Sequence, residues 1–152
     1  MLRGDTVGGF YGGFWQNLPS ANRKQFRIGG APVVEHDFDF IHPTLMAAIA
    51  DVDLGGHDPY VLPKFARPLV KSAFNILLNA PTMTSARRAI VLELRSAGVE
   101  DDVCEAGELI QAIQDQHKRF NRFWGTGLGL QLQRIDSDLC TRILARMRAV
   151  GV

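Results

Sequence analysis

The sequence predicts an α+β fold, a helix-rich single domain in which an N-terminal β-hairpin is followed by about five helices. Strand-like runs around a glycine-rich turn occur near the N-terminus, and beyond them apolar residues recur at spacings of three and four. The chain has 152 residues, 46% of them hydrophobic and 22% charged, which suits one globular domain and excludes a two-domain enzyme. Within residues 1–152 we distinguish a glycine- and aromatic-rich segment (1–22), a hairpin (23–42) and a mainly helical part (43–152).

Each element follows from a local pattern. Two runs rich in β-branched and aromatic residues flank a turn at 29–32, which favours a hairpin. Pro43 suits the first turn of the next helix, and the glycines and prolines of residues 51–63 predict a loop. After this loop the sequence predicts a helix over 65–78 and another over 84–96, with Thr84 or Ser85 as the cap of the second. Two further helices, over about 104–123 and about 130–150, are separated by a turn at 125–129.

Charge and hydropathy narrow the class of protein. The formal net charge is +1, so overall electrostatics do not drive the chain onto nucleic acid or an anionic membrane, and any basic surface is local. No apolar run reaches the ~20 residues that span a bilayer and no signal peptide begins the chain, so we expect a cytoplasmic protein with no membrane partner. Cys104 and Cys140 have no C-x-x-C partner and are expected to be buried thiols.

Acidic side chains follow the second strand-like run. Asp37 closes that run, and Asp39 and His42 come directly after it, at the turn into a helix. A carboxylate held at a strand end can be a ligand of a divalent cation, and it can equally cap the helix or stabilise the turn. The residues alone leave both interpretations open.

Polar side chains recur at every fourth residue along the helix predicted after the loop, namely Arg67, Lys71, Asn75 and Asn79. This spacing places two cations and two amides on one helical face. Such a face suits a polyphosphate bound by the cations and a sugar or base edge bound by the amides. It also suits a solvated helix surface.

A second mixed segment, residues 118–124, interleaves three cations with three aromatic rings. Composition of this kind binds single-stranded nucleic acid through phosphate contacts and base stacking, and it is equally typical of an amphipathic helix end whose rings lie in the core. His57 and His117 belong to no metal-binding spacing and are expected to be ordinary surface or core histidines.

Three stretches of the chain, taken in order, resemble motifs of the family A DNA polymerases. Residues 37–42, Asp-Phe-Asp-Phe-Ile-His, resemble motif A, with His42 where an acidic residue is usual. The polar stripe that begins at Arg67 resembles the Arg-x-x-x-Lys helix of motif B, although its third and fourth members stand where an aromatic residue and a tyrosine are usual. Residues 132–138 resemble the Gln-led helix that precedes motif C, with Gln133 at the matching position.

The wider resemblance is to phage and mobile-element proteins with divergent polymerase-like sequences, and it extends over residues 8–150. In such proteins motif C, a strand that carries the second metal-binding carboxylate, follows the last helix, and no such sequence occurs before Val152. The blocks that match in the same order are residues 8–16, 37–43, 58–60, 67–80 and 132–137.

The resemblance implies a role for each site residue. Asp37 is expected to be a catalytic carboxylate and a single Mg²⁺ ligand, and Arg67 and Lys71 are expected to contact phosphates. The remaining nucleotide- or nucleic-acid-binding residues that it implies are Asn75, Asn79 and Gln133 at sugar or base edges, Tyr60 as a stacking ring, and His42.

We therefore expect a module that binds a nucleotide or nucleic acid such as DNA, with Mg²⁺ as its cofactor. Two-metal phosphoryl transfer needs carboxylates that hold both ions, so we expect no polymerase activity from this chain alone. A working Mg²⁺-dependent nucleotidyltransferase would need its second carboxylate from elsewhere. The alternative is a non-catalytic structural protein of a mobile element that self-associates as a homodimer.

Overall fold

The computed structural model describes residues 17–35 and 37–151. Most of the glycine- and aromatic-rich N-terminal segment and His36 lie outside the described residues. Helices dominate the described part and accompany one small antiparallel hairpin, which confirms the predicted α+β, helix-rich class. No helix in the described ranges combines the length and apolar character needed to cross a membrane.

The hairpin is present but shorter than predicted. A four-residue helix, α1 (Ser20–Arg23), precedes strands β1 (Arg27–Ile28) and β2 (Ala31–Pro32), which pair in antiparallel register. The two glycines between the strands both have positive φ, as a two-residue hairpin turn of the primed type requires. Because the strand ends at Pro32, the prediction that Asp37 closes a strand is wrong, and its carboxylate is held by a loop.

Helix α2 (Ile41–Ala50) and helix α3 (Arg67–Asn79) are separated by a loop, as predicted. Pro43 lies in the first turn of α2, where a missing backbone N–H costs no helical hydrogen bond. Pro68 has the same role at the start of α3, which explains why that helix begins two residues later than the predicted residue 65.

The second half of the chain contains three further α-helices and one 3₁₀ helix. Helix α4 (Met83–Ser96) is capped by Thr82 and not by Thr84 or Ser85, because the Thr82 hydroxyl accepts a hydrogen bond from the Ser85 amide and the Ser85 hydroxyl accepts one from the Thr82 amide. The single helix predicted over 104–123 is two elements that break at His117. These elements are α5 (Asp102–Gln116) and the 3₁₀ helix (Lys118–Phe123), and α6 (Leu128–Ala149) follows the predicted turn.

Helix α3 lies at the centre of the packing and contacts α4, α5 and α6. Its fully buried Phe74 meets three other rings edge-on, with centroid distances of 5.3 Å to Tyr60, 4.9 Å to Trp124 and 5.5 Å to His117. Edge-to-face contacts at these distances are the favoured arrangement of aromatic pairs. The aromatic cluster therefore joins the loop before α3 to the 3₁₀ helix after α5.

The segment 118–124 supplies core residues. Phe120 and Trp124 are buried, and the Trp124 indole N–H donates a 3.0 Å hydrogen bond to Asn121 Oδ1. Of the two alternatives for this segment, the structure confirms the amphipathic end with rings in the core. The prediction of buried thiols is wrong for Cys104, which lies on the solvent side of the first turn of α5, and Cys140 is half-buried.

The half-buried His117 leads to a pH prediction. Burial lowers the pKa of His117 below 6.5. The 2.8 Å hydrogen bond that Nε2 donates to the Pro59 carbonyl raises the pKa, but by less than burial lowers it. The unfolded chain then binds the proton at a higher pH than the folded protein, so stability is full above about pH 6.5 and decreases as pH falls toward the folded pKa.

We expect His117→Gln to lose less stability than the wild type between about pH 7.5 and about pH 5.5 in urea unfolding experiments. His42, whose pKa is also lowered, accounts for part of the slope that remains. Equal losses in the two proteins would show that His117 titrates alike in the folded and unfolded states.

Candidate functional site

Residues 37–42 and the polar stripe of α3 meet at one surface hollow. A cavity of about 320 Å³ opens between residues 37–42 and the first half of α3, with Tyr60 of the intervening loop between them. We call it the polar hollow. Its described lining is Asp37, Phe38, Asp39, Phe40, Ile41, His42, Tyr60, Arg67, Lys71 and Asn75.

Helix α3 presents its polar residues to the hollow because its other face is held in the core. Val70, Phe74 and Leu77 are fully buried. Arg67 and Lys71 are therefore directed outward on successive turns, about 6 Å apart along the helix axis. All four members of the predicted stripe are at least partly exposed, and the first three line the hollow.

Arg67 is held by an ion pair and two rings. Its Nε lies 2.5 Å from Asp58 Oδ2, and its guanidinium lies 5.6 Å from the Tyr60 ring centroid and 5.9 Å from that of Phe40. A guanidinium in this position is fixed in orientation while one side stays accessible. The sequence spacing gave no sign of the Asp58 partner, which lies on the loop nine residues earlier.

The Asp58 carboxyl is tuned by these contacts. Its desolvation raises the pKa, but hydrogen bonds from Arg67 and from the Tyr60 amide outweigh that effect and hold the pKa of Asp58 below 3.8. Asp58 is therefore ionised at neutral pH, and it neutralises part of the positive charge of the hollow.

Lys71 is the less restrained cation. Its ammonium lies 6.0 Å from the Tyr60 ring centroid, and within residues 17–35 and 37–151 it forms no ion pair. An ammonium on a flexible stem beside an aromatic ring can move onto an incoming anion at little cost. Lys71 is for this reason the residue best placed to make a first contact with a phosphate.

Tyr60 does not offer its ring to a base. The residue is only 4% exposed, with its ring edge-on to Phe40 at 5.7 Å and to Phe74 at 5.3 Å. Burial and the nearby Asp58 raise its pKa to about 12, so the hydroxyl stays protonated. The expected stacking role is therefore replaced by a structural one, in which the ring supports the two cations of α3.

The acidic rim of the hollow is exposed. Asp37 Oδ1 accepts a 2.9 Å hydrogen bond from the Phe38 amide, and Asp39 lies two residues further along the same loop. Phe40, the next residue, has the left-handed φ of 56°, a conformation that costs a non-glycine residue of order 1 kcal/mol. The strained backbone turns the chain sharply into α2 and places the Phe40 ring beside Arg67.

The two rim carboxylates are the residues that offer ligands to a metal ion. In the described ranges no three His, Cys, Asp or Glu side chains form a group arranged for a metal. Mg²⁺, however, is commonly held by one or two carboxylates together with waters and substrate phosphates. Asp37 and Asp39 fit that partial donor set.

His42 is a partly buried residue of the hollow. Burial lowers its pKa below 6.5, against the opposing charge of Asp136 on α6. At neutral pH the ring is therefore uncharged, and it offers a hydrogen-bonding nitrogen to the hollow. Asp136 on α6 thus lies near enough to His42 on α2 to affect its pKa, a proximity that the sequence spacing did not indicate.

Two of the predicted binding residues lie elsewhere. Asn79 and Gln133 are not among the described residues that line the hollow. The Asn79 side chain donates a 2.8 Å hydrogen bond to the Asn75 carbonyl. It also lies against Gly129, so closely that a Cβ atom added to Gly129 would be 2.0 Å from Asn79 Oδ1. Asn79 thus packs α3 against α6, and Asn75 is the last residue of the α3 stripe that lines the hollow.

Comparison of the chain with protein-family models, with curated proteins and with solved structures gives no match.

Proposed function

We propose that this protein binds the phosphate groups of a nucleotide or nucleic acid in the polar hollow. The observation that supports this proposal is the meeting of Arg67, Lys71 and Asn75 with residues 37–42 around one cavity. Two cations that face one opening, one of them without an ion pair in the described part of the chain, form an anion site.

The residues divide the recognition between them. Arg67 is pre-oriented by Asp58 and the rings, and it supplies a planar set of N–H donors to phosphate oxygens. Lys71 adds a mobile point charge one turn later. Asn75, a further turn along, brings an amide with both a donor and an acceptor to a sugar hydroxyl or a base edge.

Mg²⁺ has a place in this arrangement. Asp37 and Asp39 would hold the ion at the rim, and a bound ion would screen the phosphate oxygens and draw them toward the acidic side of the hollow. Transfer of a nucleotidyl group requires carboxylates that hold two metal ions about 4 Å apart. The proposed function is therefore binding without catalysis by this chain alone.

The proposal is tested by anisotropy of a labelled primer–template duplex titrated with the protein at low and moderate salt. We expect salt-sensitive binding that the double variant Arg67→Ala, Lys71→Ala weakens by roughly 100-fold at low salt. Loss of two phosphate contacts should also reduce the slope of log affinity against log salt by about 2. The matched control is Arg87→Ala, Arg88→Ala, which removes the same charge from exposed positions of α4.

Asp58→Asn is expected to change the binding affinity in the opposite direction in the same titration. It removes the charge that competes for Arg67 and keeps an oxygen that can accept the 2.8 Å hydrogen bond from the Tyr60 amide. We expect about 3- to 10-fold tighter binding, since the hollow becomes more positive. Equal weakening by the α3 and α4 double variants, or no binding by the wild type, would contradict the proposal.

A second candidate function is that of a structural protein that self-associates. It is favoured by a specific observation, the series of exposed large apolar side chains along α6, which includes Ile135, Leu139 and Met147.

A further inference from the structure

Helix α6 is only partly covered by the rest of the protein. It has 22 residues, and its buried members, Gly129 and Leu132, both lie in the first two turns, where it packs against α2 and α3. Beyond residue 133 every described position of the helix is partly or fully exposed. Residues 134–149, which we call the extending part, therefore contribute no buried side chain to the core.

The extending part carries an apolar stripe. Ile135, Leu139, Ile143 and Met147 follow one another at intervals of four residues, and none of them is buried. At about 100° per residue they lie within roughly 60° on either side of the direction of the buried Leu132. The stripe thus continues the core-facing side of the helix into solvent.

The stripe is complementary to itself. Its spacing of 4, 4 and 4 residues is the same from either end, with its centre at residue 141. A second α6 that runs in the opposite direction places its Met147 opposite Ile135 and its Ile143 opposite Leu139. Residues at intervals of four form the ridges by which helices most often pack.

Charge selects the antiparallel direction. The charged residues of the extending part that precede the centre at residue 141 are Arg134, Asp136 and Asp138, with a net charge of −1. Those that follow it are Arg142, Arg146 and Arg148, with a net charge of +3. A parallel pair would place the two strongly basic halves side by side. An antiparallel pair instead brings the net-negative half of each helix beside the basic half of the other, with Arg134 opposite Arg148 as the single like-charge pairing.

We propose that two copies of this chain associate through an antiparallel contact between their α6 helices, centred near residue 141. The interface is isologous, because each copy contributes the same four apolar residues. The stripe is only about 18 Å long, so we expect the contact to bury less than the ~800 Å² per partner of a typical stable interface and the dimer to form at micromolar concentrations. The contact does not involve the polar hollow, and it stands whether or not the proposed nucleotide binding does.

Sedimentation velocity of the full chain over a range of concentrations tests the proposal, with Leu139→Asp as the disrupting variant. We expect the wild type to pass from monomer to dimer with rising concentration. The variant is expected to weaken the dimer by roughly 100-fold or more, since an acidic residue enters the apolar contact twice. The matched control is Leu144→Asp, the same change at a 51% exposed position of α6 that points away from the stripe.

A wild type that stays monomeric at about 100 µM, or equal weakening by Leu139→Asp and Leu144→Asp, would overturn the proposal. Oxidative cross-linking tests the direction of the contact and does not depend on the folding of the aspartate variants. In chains with Cys104→Ser and Cys140→Ser, a mixture of Ile135→Cys and Met147→Cys should form mixed disulfides, while Ile135→Cys alone should not. Cross-linking of Ile135→Cys with itself would indicate a parallel contact and overturn the proposed arrangement.

Discussion

Phe74→Ala is expected to lower the free energy of unfolding by about 4 kcal/mol, the largest effect among the core residues. Phe74 is fully buried at the middle of α3, and its ring contacts the rings of Tyr60, His117 and Trp124. Truncation removes the transfer free energy of the ring and leaves a cavity between elements that are separated in the chain. Urea unfolding followed by circular dichroism measures the change.

Phe38→Ala is the matched control, because this ring is 51% exposed on the loop before α2. It should change the free energy of unfolding by about 1 kcal/mol or less. Similar losses in the two variants would mean that the aromatic cluster around Phe74 does not organise the core.

Gly125→Ala is expected to destabilise the protein by roughly 3 kcal/mol or more, or to prevent folding. Gly125 has a φ of 65°, and a Cβ atom there would lie 2.5 Å from the Met83 amide nitrogen and 2.8 Å from the Thr82 carbonyl carbon. These are backbone atoms at the start of α4, so they cannot turn aside as a side chain does. The substitution therefore combines a left-handed backbone with a collision.

Gly127→Ala separates these two effects in the same unfolding experiment. Gly127 has a φ of 72°, and nothing lies within 4 Å of the position of its added Cβ. It should cost only about 1 kcal/mol, the penalty of the left-handed conformation alone. If Gly125→Ala proved no more costly than Gly127→Ala, the close approach of the 124–127 turn to α4 would be contradicted.

The helices could be predicted from the sequence because their apolar residues repeat with the helical period. The core face of α3, with Phe74 and Leu77, and the opposite stripe through Arg67 and Lys71 both follow from that repeat. The exact ends depend on local hydrogen bonds that periodicity does not encode. Thr82 caps α4 because its hydroxyl reaches the Ser85 amide, although Thr84 and Ser85 suit the same role by residue type.

The polar hollow could be predicted only in part. The motif order indicated that residues 37–42 and Arg67 belong together, and they line one cavity. Burial of Tyr60 and the ion pair from Asp58 to Arg67 depend on how the 51–66 loop folds over α3. Loop conformation follows from tertiary contacts rather than from a repeat, so no spacing in the sequence reveals it.

Backbone amide NMR of the full chain, titrated with a nucleoside triphosphate and Mg²⁺, tests most directly whether the polar hollow binds phosphate. We expect the largest chemical-shift changes at residues 37–42 and 67–75, with smaller changes in α4 and at residues 118–124. The double variant Arg67→Ala, Lys71→Ala should abolish these changes while the fold is retained. Shifts concentrated outside the hollow, or none at saturating ligand, would contradict phosphate binding in the hollow.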